Sequence, residues 1–160
     1  MKNRKRGFSL VELLIVLAVI AALIATITPV ALNAIRKSQA TKVAQNMKTL
    51  ASAIENAVYV NGFNPSTGVI YKNASKDEID IVDLGRDLDA TLYGLYYTKT
   101  TDGFDVAIAT TEAVDYTTAK SVVTGLVNTD ASAYSTYKKL GLTDNSKTVQ
   151  MIYTFTFSVY

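Results

Sequence analysis

Hydrophobic and polar positions divide the chain into three regimes. From Phe8 to Ile35 the sequence is almost wholly apolar, with Glu12 its single charge in 28 residues. As a helix this run would span about 42 Å, more than the roughly 30 Å hydrocarbon core of a bilayer. After Arg36 and Lys37 the pattern becomes amphipathic. Ala40, Val43, Met47, Leu50, Ile54 and Val58 recur every three or four residues and define one core-facing helical stripe. Asn61 and Gly62 supply a helix stop, with Pro65 beyond it, so one helix of about 80 Å at ideal rise is expected from Phe8 to Val60.

The remainder reads as mixed α and β. In ASKDEIDIVDLG, Ser75 with Glu78 three residues on predicts a helix cap, followed by Ile81, Leu84 and a stop at Gly85. Two strand-like runs flank Asp102 and Gly103 in TLYGLYYTKTTDGFDVAIAT, a hairpin signal. DYTTAKSVVTGLV places Ala119, Val122, Val123, Leu126 and Val127 on one helical face. The final KTVQMIYTFTFSVY alternates, which puts Val149, Met151, Tyr153, Phe155, Phe157 and Val159 on one side of a strand covering the long helix. The fold class is therefore α+β: a long N-terminal helix, half membrane-spanning and half amphipathic, packed on a small antiparallel sheet.

Composition narrows the chemistry. The chain has no Cys, His or Trp. That removes disulfides, metal sites built from thiolate or imidazole, and nucleophilic schemes that use those groups. An enzyme is not expected. Net charge is +2, of which Lys2, Arg4, Lys5 and Arg6 supply +4, so residues 8–160 come to 2 − 4 = −2. Such a balance argues against a nucleic-acid surface. The basic cluster ahead of the apolar run places the N-terminus in the cytoplasm by the positive-inside rule. The apolar run is longer than that of a secretory signal and no A-x-A site closes it.

Glu12 costs about 2.5–3.5 kcal/mol if it lies deep in a membrane helix and little if it lies at the interface. The local pattern decides its reading. RGFSLVELLIVLAVIAALI resembles the class III signal and N-terminal helix of type IV pilins and of type II secretion pseudopilins, over about residues 1–60. The resemblance implies a leader of residues 1–7, cleavage after Gly7 by a prepilin peptidase, N-methylation of Phe8, a registering role for Glu12, and a kink at Pro29. It also implies a transmembrane and polymerisation helix over 8–35 and a globular body over 36–160. Cleavage leaves a cationic amine on Phe8, and a carboxylate in apolar surroundings is penalised unless it is paired. Glu12 thus has reason to meet the Phe8 amine of a neighbouring subunit. Pro29 lacks the N–H that would bond the Ala25 carbonyl, so a flexible point is expected at residues 25–29.

The function this implies is a structural subunit stored in the inner membrane and polymerised into an extracellular or periplasmic filament. The partners implied are other copies, minor pilins, the peptidase, the assembly platform protein with its ATPase, and membrane lipid. The alternatives are a pseudopilin of a type II secretion system and a monomeric membrane-anchored binding domain.

Two other constellations carry less weight. Asp77, Glu78, Asp80, Asp83, Asp87 and Asp89 stand among Lys76 and Arg86 with no EF-hand spacing, which favours a solvated, partner-facing loop over a calcium site. No cofactor is expected. Tyr93, Tyr96, Tyr97, Tyr116, Tyr134 and Tyr137 fit a sheet or subunit contacts better than stacking on DNA. Many pilins carry a C-terminal disulfide, so here strand pairing, hydrogen bonds or a neighbour must hold that region.

Overall fold

A computed structural model describes residues 8–86, 88–128, 131–144 and 146–159. Two compact units meet between Arg36 and Lys37. Helix α1, Leu10–Asn61, contains the apolar run and the amphipathic stripe. Within the body, Lys37–Tyr160, its buried residues include all six of the predicted stripe, joined by Ala44, Ala51 and Ala57. Gly62 ends the helix at φ +77°, and its N–H donates to the Val58 carbonyl (3.0 Å).

Five antiparallel strands form one sheet in the order β3-β5-β2-β1-β4. These are β1 Tyr93–Lys99, β2 Gly103–Thr110, β3 Leu126–Val127, β4 Lys138–Gly141 and β5 Met151–Ser158. The predicted hairpin is present, with Lys99 opposite Phe104 at its closing end. Period-two alternation gives the sheet two faces. Leu95, Tyr97, Phe104, Val106, Ile108 and Met151 pack with the α1 stripe in the main core. Opposite them, Tyr96, Ala107, Ala109, Leu142 and Ile152 form a second cluster under Tyr134, Tyr137 and Val149. Phe63, Phe104, Phe157 and Tyr59 extend the main core as an aromatic chain at one end.

Three local expectations are corrected. The short helix α2 covers only Ile81–Leu84, and its cap is Asp80 rather than Ser75, with Asp83 completing the capping box. Residues ahead of it are committed elsewhere. Asn73 and Asp77 close a turn on each other, Lys76 sits at φ 65°, and Tyr71 bridges Glu78.

Helix α3, Tyr116–Val122, ends where a longer one was read. Val123 follows as its C-cap, Gly125 turns at φ +91°, and Leu126–Val127 leave as β3, with Leu126 buried and Val127 exposed. Val149 belongs to the second cluster, not to the face of Met151 and Tyr153. The Gln150 N–H donates to the Thr110 carbonyl (2.8 Å), whereas the strand register pairs Thr110 with Met151. That one-residue offset turns the preceding side chain over.

Candidate functional site

The site is the N-terminal half of α1. Gly7 and the basic leader lie outside the described residues, as does Asp87 of the acidic loop. Phe8 is 77% exposed, and the helix begins two residues later. Its start is capped by side chains of the S-x-x-E stretch. The Ser9 N–H donates to Glu12 Oε2 (2.9 Å), while Ser9 Oγ accepts from the Val11 N–H (3.3 Å). This signal stood in the sequence as Ser9 and Glu12, and the reading above passed over it. Glu12 therefore has a local task within its own chain: it satisfies an amide left without a helical partner and sets a negative charge at the positive end of the helix. Its carboxylate retains acceptor capacity for a second donor.

Beyond Glu12 the helix carries no charge until Arg36. Every residue from 8 to 39 is exposed, including Leu13, Leu17, Val19, Leu23, Ile27 and Ile35. By length and composition α1 can cross a membrane, its most apolar window having a mean hydropathy of 2.9. The helix continues through Pro29. Around it, Thr26 Oγ1 donates to the Leu23 carbonyl (2.9 Å) and Thr28 Oγ1 to the Ile24 carbonyl (2.7 Å). These hydroxyls bond to the helix's own carbonyls, beside the Ala25 carbonyl that Pro29 cannot serve.

The body holds no comparable concentration of chemistry. A cleft of about 630 Å³ lies between the stripe helix and the sheet, lined among others by Lys42, Asn46, Asp89, Tyr93 and Glu112. In it the Tyr93 hydroxyl donates to Glu112 Oε1 and accepts from Asn46 Nδ2 (3.1 Å), tying α1 to the end of the sheet. Burial first, and the Glu112 carboxylate next, push the Tyr93 hydroxyl well above its usual pKa. The acidic loop is spent on turns: Asp80 and Asp83 cap α2, Asp77 accepts from Asn73, and Asp89 accepts from Thr91. Among the described residues no group of three or more acidic side chains is gathered to hold a metal ion.

Residues 2–28 match the family model of the prokaryotic N-terminal methylation motif. No curated protein and no solved structure matches the chain. The motif is the class III signal typical of type IV pilins and pseudopilins, and here it leads into a long helix packed on a five-stranded antiparallel sheet. The match covers only the start of the chain, and the build that follows it, a long helix on an antiparallel sheet, is α+β and pilin-like.

Proposed function

We propose that this chain is the structural subunit of a type IV pilus-like filament. It is held in the inner membrane with its N-terminus in the cytoplasm, cut after Gly7, methylated on Phe8, and polymerised through residues 8–35. The observation that carries this reading is the uncovered apolar half of α1. Its large side chains, from Leu10 to Ile35, are all exposed among the described residues. Lipid covers such a surface before assembly, and equivalent helices of other subunits cover it afterwards.

Glu12 has two duties in this account: capping its own helix and pairing with the Phe8 amine of the subunit already in place. The second duty sets register more than stability, because desolvation offsets much of the attraction of a buried pair. The flexible point at Pro29 lets one helix serve both membrane and filament packing.

Three variants separate the duties. Glu12→Gln keeps an acceptor for the Ser9 N–H but removes the charge, Ser9→Ala weakens the cap but keeps the charge, and Glu12→Ala removes both. The precursor is expressed with a prepilin peptidase, and sheared filaments are counted by electron microscopy. Assembly is expected to collapse in Glu12→Gln and Glu12→Ala and to persist in Ser9→Ala. Wild-type filament yield from Glu12→Gln would reduce Glu12 to a helix cap. Failure of the wild-type chain to form any filament would favour a monomeric anchored domain.

A further inference from the structure

The sheet has two edges of opposite character, and we infer that they join head to tail between neighbouring subunits, with β4 of one copy pairing onto β5 of the next. This rests on the filament reading above.

Main-chain polarity fixes which groups each edge presents. The Val159 N–H donates to the Asp102 carbonyl (2.9 Å), and the same register pairs Phe157 with Phe104 and Phe155 with Val106. Counting in twos, the odd residues of β5 spend their N–H and C=O groups on β2, so Thr154, Thr156 and Ser158 present theirs outward. The only strand on that side among the described residues is β3, which pairs Leu126 with Tyr153 and Val127 with Ile152 and then ends. Gly125, one residue ahead of β3, lies beside Tyr153 and Thr154, and Tyr59 Oη donates to the Ser158 carbonyl (2.7 Å). Among the described residues, the outward groups of Thr156 and the Ser158 N–H are left open.

On the far edge, the Leu142 N–H donates to the Tyr93 carbonyl (3.0 Å), so Leu140 and Lys138 face β1 while Lys139 points outward, and Gly141, at φ +73°, ends the regular strand.

The two edges are complementary in direction, length and charge. Because all neighbours in the sheet are antiparallel, β4 runs opposite to β5, and a second copy in the same orientation brings its β4 antiparallel to β5. A union that preserves orientation suits subunits whose helices all enter one membrane. A two-fold pairing of β5 with itself would reverse one helix against the other. Four residues, Lys138–Gly141, fit positions 156–159, beyond the Ile152 and Tyr153 positions that β3 holds.

The β5 strand has no charge, no Pro and no bulge within Met151–Ser158, so it lacks the devices that usually keep an open edge single. Its neighbour on the outer face is acidic, with Asp105 beside Thr156 and Asp102 at the hairpin end, whereas β4 brings Lys139. The register that matches outward groups sets Lys139 of one copy opposite Ser158 of the other, Gly141 opposite Thr156, and Leu140 against Phe157 on the inner face. Cross-strand aliphatic–aromatic pairing of that kind stabilises a sheet.

The natural absence of cysteine makes the test direct. In the full-length chain, Lys139→Cys combined with Ser158→Cys places two thiols within about 5.5 Å of Cα separation, inside disulfide range. Lys139→Cys with Thr154→Cys places them four residues out of register, about 13 Å apart along the strand. Filaments sheared from cells are oxidised and run on non-reducing gels, and filament yield is scored separately by microscopy.

The expected result is a ladder of dimers, trimers and higher species for the Lys139/Ser158 pair, only traces for the Lys139/Thr154 pair, and monomer for each single variant. Normal filaments with no ladder, or equal ladders from both pairs, overturn the edge pairing while the filament reading stands. Dimers from Ser158→Cys alone overturn it in favour of a two-fold contact. Absence of filaments from the unmodified chain removes the filament reading and this pairing with it.

Discussion

Leu23 and Leu50 are the same residue type on the same helix, and they should fail in opposite ways. Leu50 is 0% exposed within the main core of the body, and Leu23 is 55% exposed in the apolar half. Truncating a fully buried leucine to alanine costs about 2–5 kcal/mol, from lost transfer energy and the cavity left behind. Against a typical total stability of about 5–15 kcal/mol that is a large share. The body runs from Lys37 to Tyr160. In a unit of that size each kcal/mol lowers the melting temperature by roughly 3–6 °C, so Leu50→Ala should lower it by about 6–30 °C.

A fragment of residues 37–160 is the proper host, since every residue from 8 to 39 is exposed and the buried residues of α1 begin at Ala40. The fragment should be a folded monomer by sedimentation and circular dichroism, and urea titration should show Leu50→Ala shifted in midpoint with an unchanged slope. Leu23→Ala in the full chain should leave the melting of the body unchanged in detergent and lower filament yield. An unfolded fragment, or a Leu50→Ala shift below about 1 kcal/mol, would refute the reasoning that the body's core is built from α1 beyond Lys37 and owes nothing to the apolar half.

The buried tyrosines predict an alkaline limit. Tyr93, Tyr96 and Tyr97 all have raised pKa values with burial as the first cause, so the unfolded chain releases their protons at lower pH than the folded one. Their contribution is fully present below about pH 10 and is lost as pH rises above it, and urea midpoints of the fragment should be flat to that point and then fall, less steeply in Tyr93→Phe. Gly103→Ala should damage the sheet severely, because an added Cβ would stand 1.9 Å from the Phe157 carbonyl oxygen at the start of β2. A Gly103→Ala fragment melting within a few degrees of wild type would show that this junction can open at little cost.

Where periodicity runs long, the fold is legible in the chain. The stripe from Ala40 to Val58 extends over five turns, and all six of its predicted positions are buried. The hairpin about Asp102 and Gly103 has long strands on both sides. Short elements carry no period to read. Two residues of β3 and four of β4 are strands only because the sheet offers them an edge, and tertiary pairing overrode the helical spacing that had joined Leu126 to α3.

At α2, several Asp and Ser residues competed to cap one short helix, and the Asn73–Asp77 turn decided the outcome. Val149 was assigned by alternation alone, and a single offset at Gln150 reversed it. The candidate site was legible as a motif, from the basic leader through Phe8 and Glu12 to Pro29. The capping duty of Glu12 emerged only with the geometry of Ser9, although the S-x-x-E spacing announces it.

The measurement that bears most directly on the central claim is the N-terminus of the assembled protein. Filaments sheared from cells, dissolved and analysed intact by mass spectrometry should yield a chain beginning at Phe8, with one added methyl group on its amine. Fragmentation spectra should place that methyl on the first residue. The same cells should hold the uncut precursor in the membrane fraction when the peptidase is absent, and no filaments. Filaments built from chains that still begin at Met1 would contradict the account, because the Phe8 amine that Glu12 is held to meet would then be an amide.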